Sequence, residues 1–128
     1  MLTNSPITVV LPAADLERAK HFYTDKLGLK EVEFSPSEGG VMFECGGGTK
    51  LFIYQKQIEK PEFTQAHFEV TDLIAEMAEL RAKGVNFEDF EMPGLKTENG
   101  IAEMKGYKSA WFKDTEGNII ALGQTVQP

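Results

Sequence analysis

His67 and Glu69 stand two residues apart in the run Gln65-Ala66-His67-Phe68-Glu69-Val70-Thr71-Asp72. Apolar Phe68 and Val70 alternate with polar His67 and Glu69, the period of a half-buried strand, so the imidazole and the carboxylate share its open face. A histidine beside a carboxylate is a general base whose tautomer a partner can fix, and His67 and Glu69 are the candidate catalytic pair. A histidine that only hydrogen-bonds a ligand would look the same. Ser109 and Thr8 have no histidine beside them in sequence, so a serine or threonine nucleophile has little support. Cys45 is the only cysteine; it excludes an internal disulfide framework and reads as a small buried strand residue.

The strand that carries His67 belongs to a repeat. At a shift of 57, Thr8 to Asp15 falls on Gln65 to Asp72, and each copy ends in an Asp placed to cap a helix. Leu16, Ala19, Phe22, Tyr23 and Leu27 make one helical stripe; Leu73, Met77 and Leu80, with Ala78 at the edge, make the other. Each helix stops at a glycine, Gly28 or Gly84. At a shift of 56, Leu29 to Phe34 falls on Val85 to Phe90, a short strand in each copy. At a shift of 69, Val41-Met42-Phe43 falls on Ala110-Trp111-Phe112, and Gly48 to Gln55 falls on Gly117 to Gln124, a hairpin glycine followed by an outgoing strand. The pattern predicts an α+β fold of two tandem βαβββ modules, about 5–56 and 63–125, within one domain spanning 1–128. The step from 56 to 69 places thirteen extra residues around Glu91 to Tyr107. With Pro93, Gly94, Gly100 and Gly106, this connection reads as a mobile side wall or lid.

Alternation assigns the remaining candidates. Leu51, Ile53, Ile120 and Leu122 face the helices, leaving Phe52, Tyr54, Ala121 and Gly123 on the open side; Tyr107, Ser109, Trp111 and Lys113 are assigned there too, as are Thr8 and Val10. Helices on one face only would leave a cup-shaped mixed sheet, with the helices outside. Trp111, Phe52, Tyr54 and Tyr107 then form an aromatic wall for a planar or cationic ligand, beside Gln65, Thr8 and Ser109 as polar contacts. The net charge of −7 opposes nucleic acid as a partner and favours neutral or cationic ligands. No apolar run approaches a membrane span, and no basic segment with an apolar run opens the chain, so a cytoplasmic protein with no membrane partner is expected. The Cys45-to-Lys50 run, CGGGTK, lacks the order of a phosphate loop and reads as a hairpin turn; Asp114 to Asn118 is its counterpart.

The segments ADLERAKHFYTDKLGL, AHFEVTDL, GVNF and AWFKDTEGNIIALGQ resemble the vicinal oxygen chelate superfamily, which includes glyoxalase I, the bleomycin resistance proteins and extradiol dioxygenases. The resemblance covers nearly the whole chain and implies a homodimer with a cup-shaped sheet around its ligand. In the family's metal enzymes each first strand and each last strand supplies one ligand, normally His or Glu. Those positions here are Thr8, Gln65, Phe52 and Ala121. Phe and Ala cannot coordinate, and a hydroxyl and an amide are poor ligands for a transition metal, so no metal and no cofactor is expected. The resemblance then implies a metal-free protein of the bleomycin resistance type that sequesters a small molecule, with antibiotic resistance as one expected use. The alternative is an enzyme: a lyase or dioxygenase with a metal relocated to His67 with Glu69 or Glu44, or a metal-free isomerase or hydrolase using His67 and Glu69.

Overall fold

Two helices, each opened by an aspartate and closed by a glycine, punctuate the strands. In a computed structural model that describes residues 1–33, 39–57, 59 and 61–126, strand β1 (Thr8–Ala13) leads into α1 (Leu16–His21). The Asp15 carboxylate accepts from Arg18 N, and β5 (Thr64–Glu69) leads into α2 (Leu73–Ala82) with Asp72 accepting from Ala75 N at the same 3.1 Å. A wide turn over Phe22–Lys26 extends α1, and positive φ at Gly28 and Gly84 lets Leu29 N and Val85 N bond back to Tyr23 and Leu80 carbonyls.

The second support at the two helix starts is a glutamine. Gln55 Oε1 accepts from Leu16 N while its amide donates to Ala14 O; Gln124 Oε1 accepts from Leu73 N at 2.8 Å. These glutamines coincide at the shift of 69, so each last strand ties down its own module's helix.

The chain divides into two compact units, Met1–Glu59 and Lys60–Pro128. In the first, β2 (Lys30–Val32), β3 (Gly40–Glu44) and β4 (Lys50–Gln55) join β1 in the order β1-β4-β3-β2, with β1 parallel to β4. Phe34, the last residue of the strand expected over Leu29 to Phe34, lies outside the described residues. The Gly46–Gly48 turn joins β3 to β4, as a hairpin turn should. Leu11, Phe43, Leu51 and Ile53 are buried beneath Ala19, Phe22 and Tyr23 of the helical segment, forming the core of this module.

In the second unit the sheet order is β5-β10-β9-β8-β7-β6, built from β6 (Glu91–Met92), β7 (Leu95–Glu98), β8 (Ile101–Met104), β9 (Tyr107–Lys113) and β10 (Ile119–Thr125). Phe112, Ile120 and Leu122 pack with Leu73, Met77 and Leu80, the counterpart core. Ala78 is exposed. The α+β fold of two repeated modules is therefore present, with one correction and one addition in the second.

The strand expected over Val85 to Phe90 is reduced to one bridge, Phe87 to Phe112, and one bond from Glu88 N to Trp111 O. The reason is competition for an edge: β8 pairs with the Tyr107–Ser109 half of β9, leaving only the other half for Phe87 and Glu88. The connection from Glu91 to Tyr107, expected as a mobile side wall or lid, is folded as sheet. Tight turns at Pro93-Gly94, Asn99-Gly100 and Lys105-Gly106 fold it into a meander, and positive φ at both Asn99 and Gly100 gives the two-residue turn that matches strand twist. Among the described residues, no helix is long and apolar enough to cross a membrane.

Candidate functional site

The open face of the second sheet is organised by two small residues on its central strand. Ala121 of β10 pairs with His67 of β5 on one side and Trp111 of β9 on the other; Gly123 pairs with Glu69 and Ser109. Directly paired residues project to the same face, so side chains from β5 and β9 can meet above β10 wherever β10 is small.

They do so twice. The Tyr107 hydroxyl lies 2.6 Å from His67 Nε2 and donates to Glu69 Oε1 at 2.7 Å, while the His67 and Tyr107 rings stack at 5.9 Å. A Cβ on Gly123 would sit 2.0 Å from that hydroxyl and 2.4 Å from His67 Cε1, so only glycine leaves room for the meeting. Glu69 Oε1 also lies 3.3 Å from His67 Nε2, and its Oε2 accepts from Thr125 N and Thr125 Oγ1 at 3.1 and 3.0 Å. The bond from Tyr107 is the main cause holding the Glu69 carboxyl below its ordinary range, with His67 and Thr125 assisting. Desolvation, with the donation to Glu69 and the charge of Glu69, pushes the Tyr107 phenol up to about 12.

The second crossing is made by Trp111, whose indole Nε1 donates to Thr64 Oγ1 on β5 at 3.1 Å. Ala121 beneath is 3% exposed. Trp111, Thr64 and Ile119 form one part of a pocket of about 250 Å³ completed by Glu62, Phe63, Phe90 and Leu95. Phe90 stands edge-on to Trp111 at 5.6 Å. The lining is apolar apart from Glu62 and Thr64, and Thr64 already holds the indole.

The other sequence candidates are placed differently. Gln65 falls at a bulge where the β5–β10 register shifts, so Thr64 pairs with Ile119 and Ala66 with Ile120. Its amide is occupied: Nε2 donates to Asn118 Oδ1 at 2.9 Å and Oε1 accepts from Ile119 N at 3.1 Å. Asn118 is in turn held by Asp114, whose carboxylate also accepts from Glu116 N, so Gln65 and the acidic turn form one structural network. Gln65 thus braces the turn where a ligand contact was expected. Ser109 is 4% exposed, in the row between Tyr107 and Trp111.

In the first unit, Thr8 is exposed at the start of β1, and Phe52 and Tyr54 stack nearly parallel at 6.4 Å on the open face of β4. The Phe52 ring lies over Gly40, where a Cβ would approach its Cζ to 2.3 Å. His21 is a surface residue 3.5 Å from Asp25. Burial raises the Cys45 thiol, against a smaller opposing effect from Lys50, so it is a poor nucleophile.

The four positions at which the resemblance would place metal ligands do not fit one. Phe52 and Ala121 offer no donor, Gln65 is committed to Asn118 and Ile119, and only the Thr8 hydroxyl remains. Among the described residues, no three His, Cys, Asp or Glu side chains come together as a metal site requires.

Thr64, Phe63, Phe90, Leu95, Ile119 and Thr125 were not sequence candidates. The Pro93-Gly94, Asn99-Gly100 and Lys105-Gly106 turns, spaced evenly, are the signal that could have revealed the meander carrying Leu95. For Thr64 there is no signal, since a one-residue bulge leaves composition unchanged.

No curated protein matches the chain at a significant level of similarity. Among solved structures, an integron cassette protein from the mobile metagenome of V. Cholerae is 26% identical, with a TM-score of 0.65 over 97% of both chains. TnmS3, an antibiotic-binding protein from Streptomyces sp. CB03234, is 23% identical, with a TM-score of 0.67 over 98% of both. Lactoylglutathione lyase from Agrobacterium tumefaciens is 20% identical, with a TM-score of 0.68 over 94% of this chain and 93% of its own. A family model matches residues 6–122, which agrees with the repeated βαβββ architecture and its two capped helices: the chain belongs to the glyoxalase/bleomycin resistance protein/dioxygenase superfamily.

Proposed function

We propose that the protein binds a small molecule without a metal, holding a flat, neutral or cationic ligand against Trp111. The observation that carries this reading is the apolar pocket of about 250 Å³ in which the indole is fixed by Thr64. An aromatic face whose N–H is already satisfied offers stacking area at little conformational cost, and the Glu62 carboxylate at such a pocket favours a neutral or positively charged guest. The net charge of −7 acts in the same direction. An antibiotic-binding protein among the structures of like fold makes drug sequestration a use to test, and a cytoplasmic homodimer is part of the proposal.

The test begins with native mass spectrometry of protein purified without chelators, which reads subunit count, bound metal and any retained organic mass. A metal-free dimer with a retained aromatic guest is the expected result; a stoichiometric metal overturns the metal-free reading. Trp111 is the only tryptophan, so its fluorescence reports the pocket directly. Trp111→Ala is expected to weaken binding of the retained guest at least tenfold, with the fold intact, by loss of stacked area worth about 1.5–3 kcal/mol. Unchanged affinity would remove Trp111 from the site.

A second reading has its own observation in the His67, Tyr107 and Glu69 cluster, which suits a metal-free isomerase or hydrolase acting through His67. Turnover that survives His67→Ala would exclude it.

A further inference from the structure

We infer that the neutral form of His67 presents Nδ1 as a hydrogen-bond acceptor for a ligand bearing an N–H or O–H group, because Tyr107 and Glu69 fix the ring proton of that form on Nε2. Neither residue touches the ligand in this role; they are positioning residues for His67.

The assignment follows from counting protons among three contacts. Glu69 receives donors on both oxygens: Tyr107 on Oε1, and Thr125 N and Oγ1 on Oε2. A carboxylate so surrounded is ionised and can only accept. The Tyr107 hydroxyl has one proton, and the phenol held protonated up to about 12 directs it to Glu69 at 2.7 Å. The 2.6 Å contact between that oxygen and His67 Nε2 is then a hydrogen bond only if Nε2 is the donor. The 3.3 Å contact from Nε2 to Glu69 Oε1 has the same sense, since two acceptors would repel there. With Nε2 protonated, a neutral imidazole leaves its lone pair on Nδ1. Among the described residues Nδ1 has no partner, and the His67 side chain is 39% exposed.

Register adds the ligand class. His67, Ala121 and Trp111 occupy one row across three adjacent strands, with the His67 and Trp111 backbones about 10 Å apart, and the indole reaches over β10 to Thr64 on the strand that carries His67. A guest that stacks on Trp111 would carry its donor on an alkyl arm directed along this row toward His67; this part rests on the binding role proposed for Trp111. Aryl-alkylamines, amides and alcohols have the required chemistry.

Two measurements separate the parts. The chain has two histidines, so a His21→Gln background leaves His67 alone in a two-bond proton–nitrogen correlation spectrum of the imidazole ring at neutral pH. The expected spectrum shows the Nε2–H tautomer with a slowly exchanging, strongly deshielded Nε2 proton. Tyr107→Phe, which keeps the ring, should erase that proton's protection. An Nδ1–H tautomer, a ring protonated on both nitrogens, or protection that survives Tyr107→Phe overturns the proposal. In the second measurement a panel of aryl-alkylamines and aryl-alkanols is titrated against the same arenes lacking the donor, read by Trp111 fluorescence. Donor-bearing members should bind at least about fivefold tighter, and His67→Phe should abolish the preference. Equal binding overturns the ligand class. No binding by either set counts against the Trp111 pocket, while the tautomer spectrum still decides the state of His67.

Discussion

The two modules share one framework and invert its open face. In module one the central strand is large, with Phe52 and Tyr54 on β4, and its neighbours are Val10, Pro12, Met42 and Gly40. In module two the central strand is small, with Ala121 and Gly123 on β10, and the bulk comes from His67 and Glu69 on β5 and Trp111 on β9. The pair Gly40–Tyr54 corresponds to Ser109–Gly123, so the glycine has changed strands. A large residue on the central strand fills its own face; a small one lets flanking side chains meet above it. The polar cluster can therefore exist only in module two.

The helix-facing sides should show the opposite, namely equivalence, and the largest effects are expected there. Phe43 and Phe112 are counterparts at the shift of 69 and both are fully buried. Phe43→Ala and Phe112→Ala should each cost about 3–5 kcal/mol in denaturant unfolding, through lost burial and the cavity left behind. A near-neutral result at one of them would break the equivalence of the two cores.

The open face is tested next by Gly123→Ala. The new Cβ must displace the ends of Tyr107 and His67, costing about 1–3 kcal/mol by overpacking. It should also separate Tyr107 from Glu69, and the phenolate absorbance should show Tyr107 falling from about 12 toward an ordinary value. The sign is that of a raised group. Its contribution to stability is complete below about 10, the unfolded tyrosine value, and is lost as pH rises through about 12. Gly123→Ala should remove that alkaline loss, while a Tyr107 titration left near 12 would show that the glycine does not control the meeting.

The framework was legible in sequence and the inversion only partly so. Asp15, Asp72, Gly28 and Gly84 act through local backbone geometry, which residue type alone encodes. Alternation placed Phe52, Tyr54, Ala121 and Gly123 on the open face because period two survives any twist of the sheet. It failed at Gln65, since one inserted residue flips parity and leaves no compositional trace. It also gave no hint that Tyr107 reaches Glu69, a contact between strands separated by β10.

A smaller pair of effects concerns the helix starts. Gln55→Ala and Gln124→Ala each remove an acceptor from the first backbone N–H of a helix and should cost about 1 kcal/mol apiece. Because the sites lie in separate modules with no shared partner, the double variant should equal their sum. A strongly unequal pair in the same denaturant assay would show that one helix relies on its aspartate alone.

The smallest effect belongs to the meander, which has no counterpart among the described residues of module one. Asp89 accepts from Thr97 Oγ1 at 2.7 Å and from Gly100 N at 2.9 Å, and Thr97 Oγ1 in turn accepts from Phe90 N. The bond from Thr97, then that from Gly100, with a lesser contribution from Arg81, lowers the Asp89 carboxyl from its ordinary value. A depressed carboxylate contributes stability above its unfolded value, near 3.9, and the contribution is lost as pH falls through the folded value. Asp89 is exposed, so the effect on global unfolding should be slight and confined to acid. Its local consequence is larger, because the same bonds hold the strand that brings Leu95 to the Trp111 pocket. Asp89→Asn should speed amide exchange at Gly100 at neutral pH while exchange in module one stays unchanged, and the wild-type protein should approach the variant's Gly100 rate, corrected for intrinsic exchange, as acid protonates Asp89. Protection at Gly100 that ignores both the substitution and the acid would show that the turn residues alone hold the meander in place.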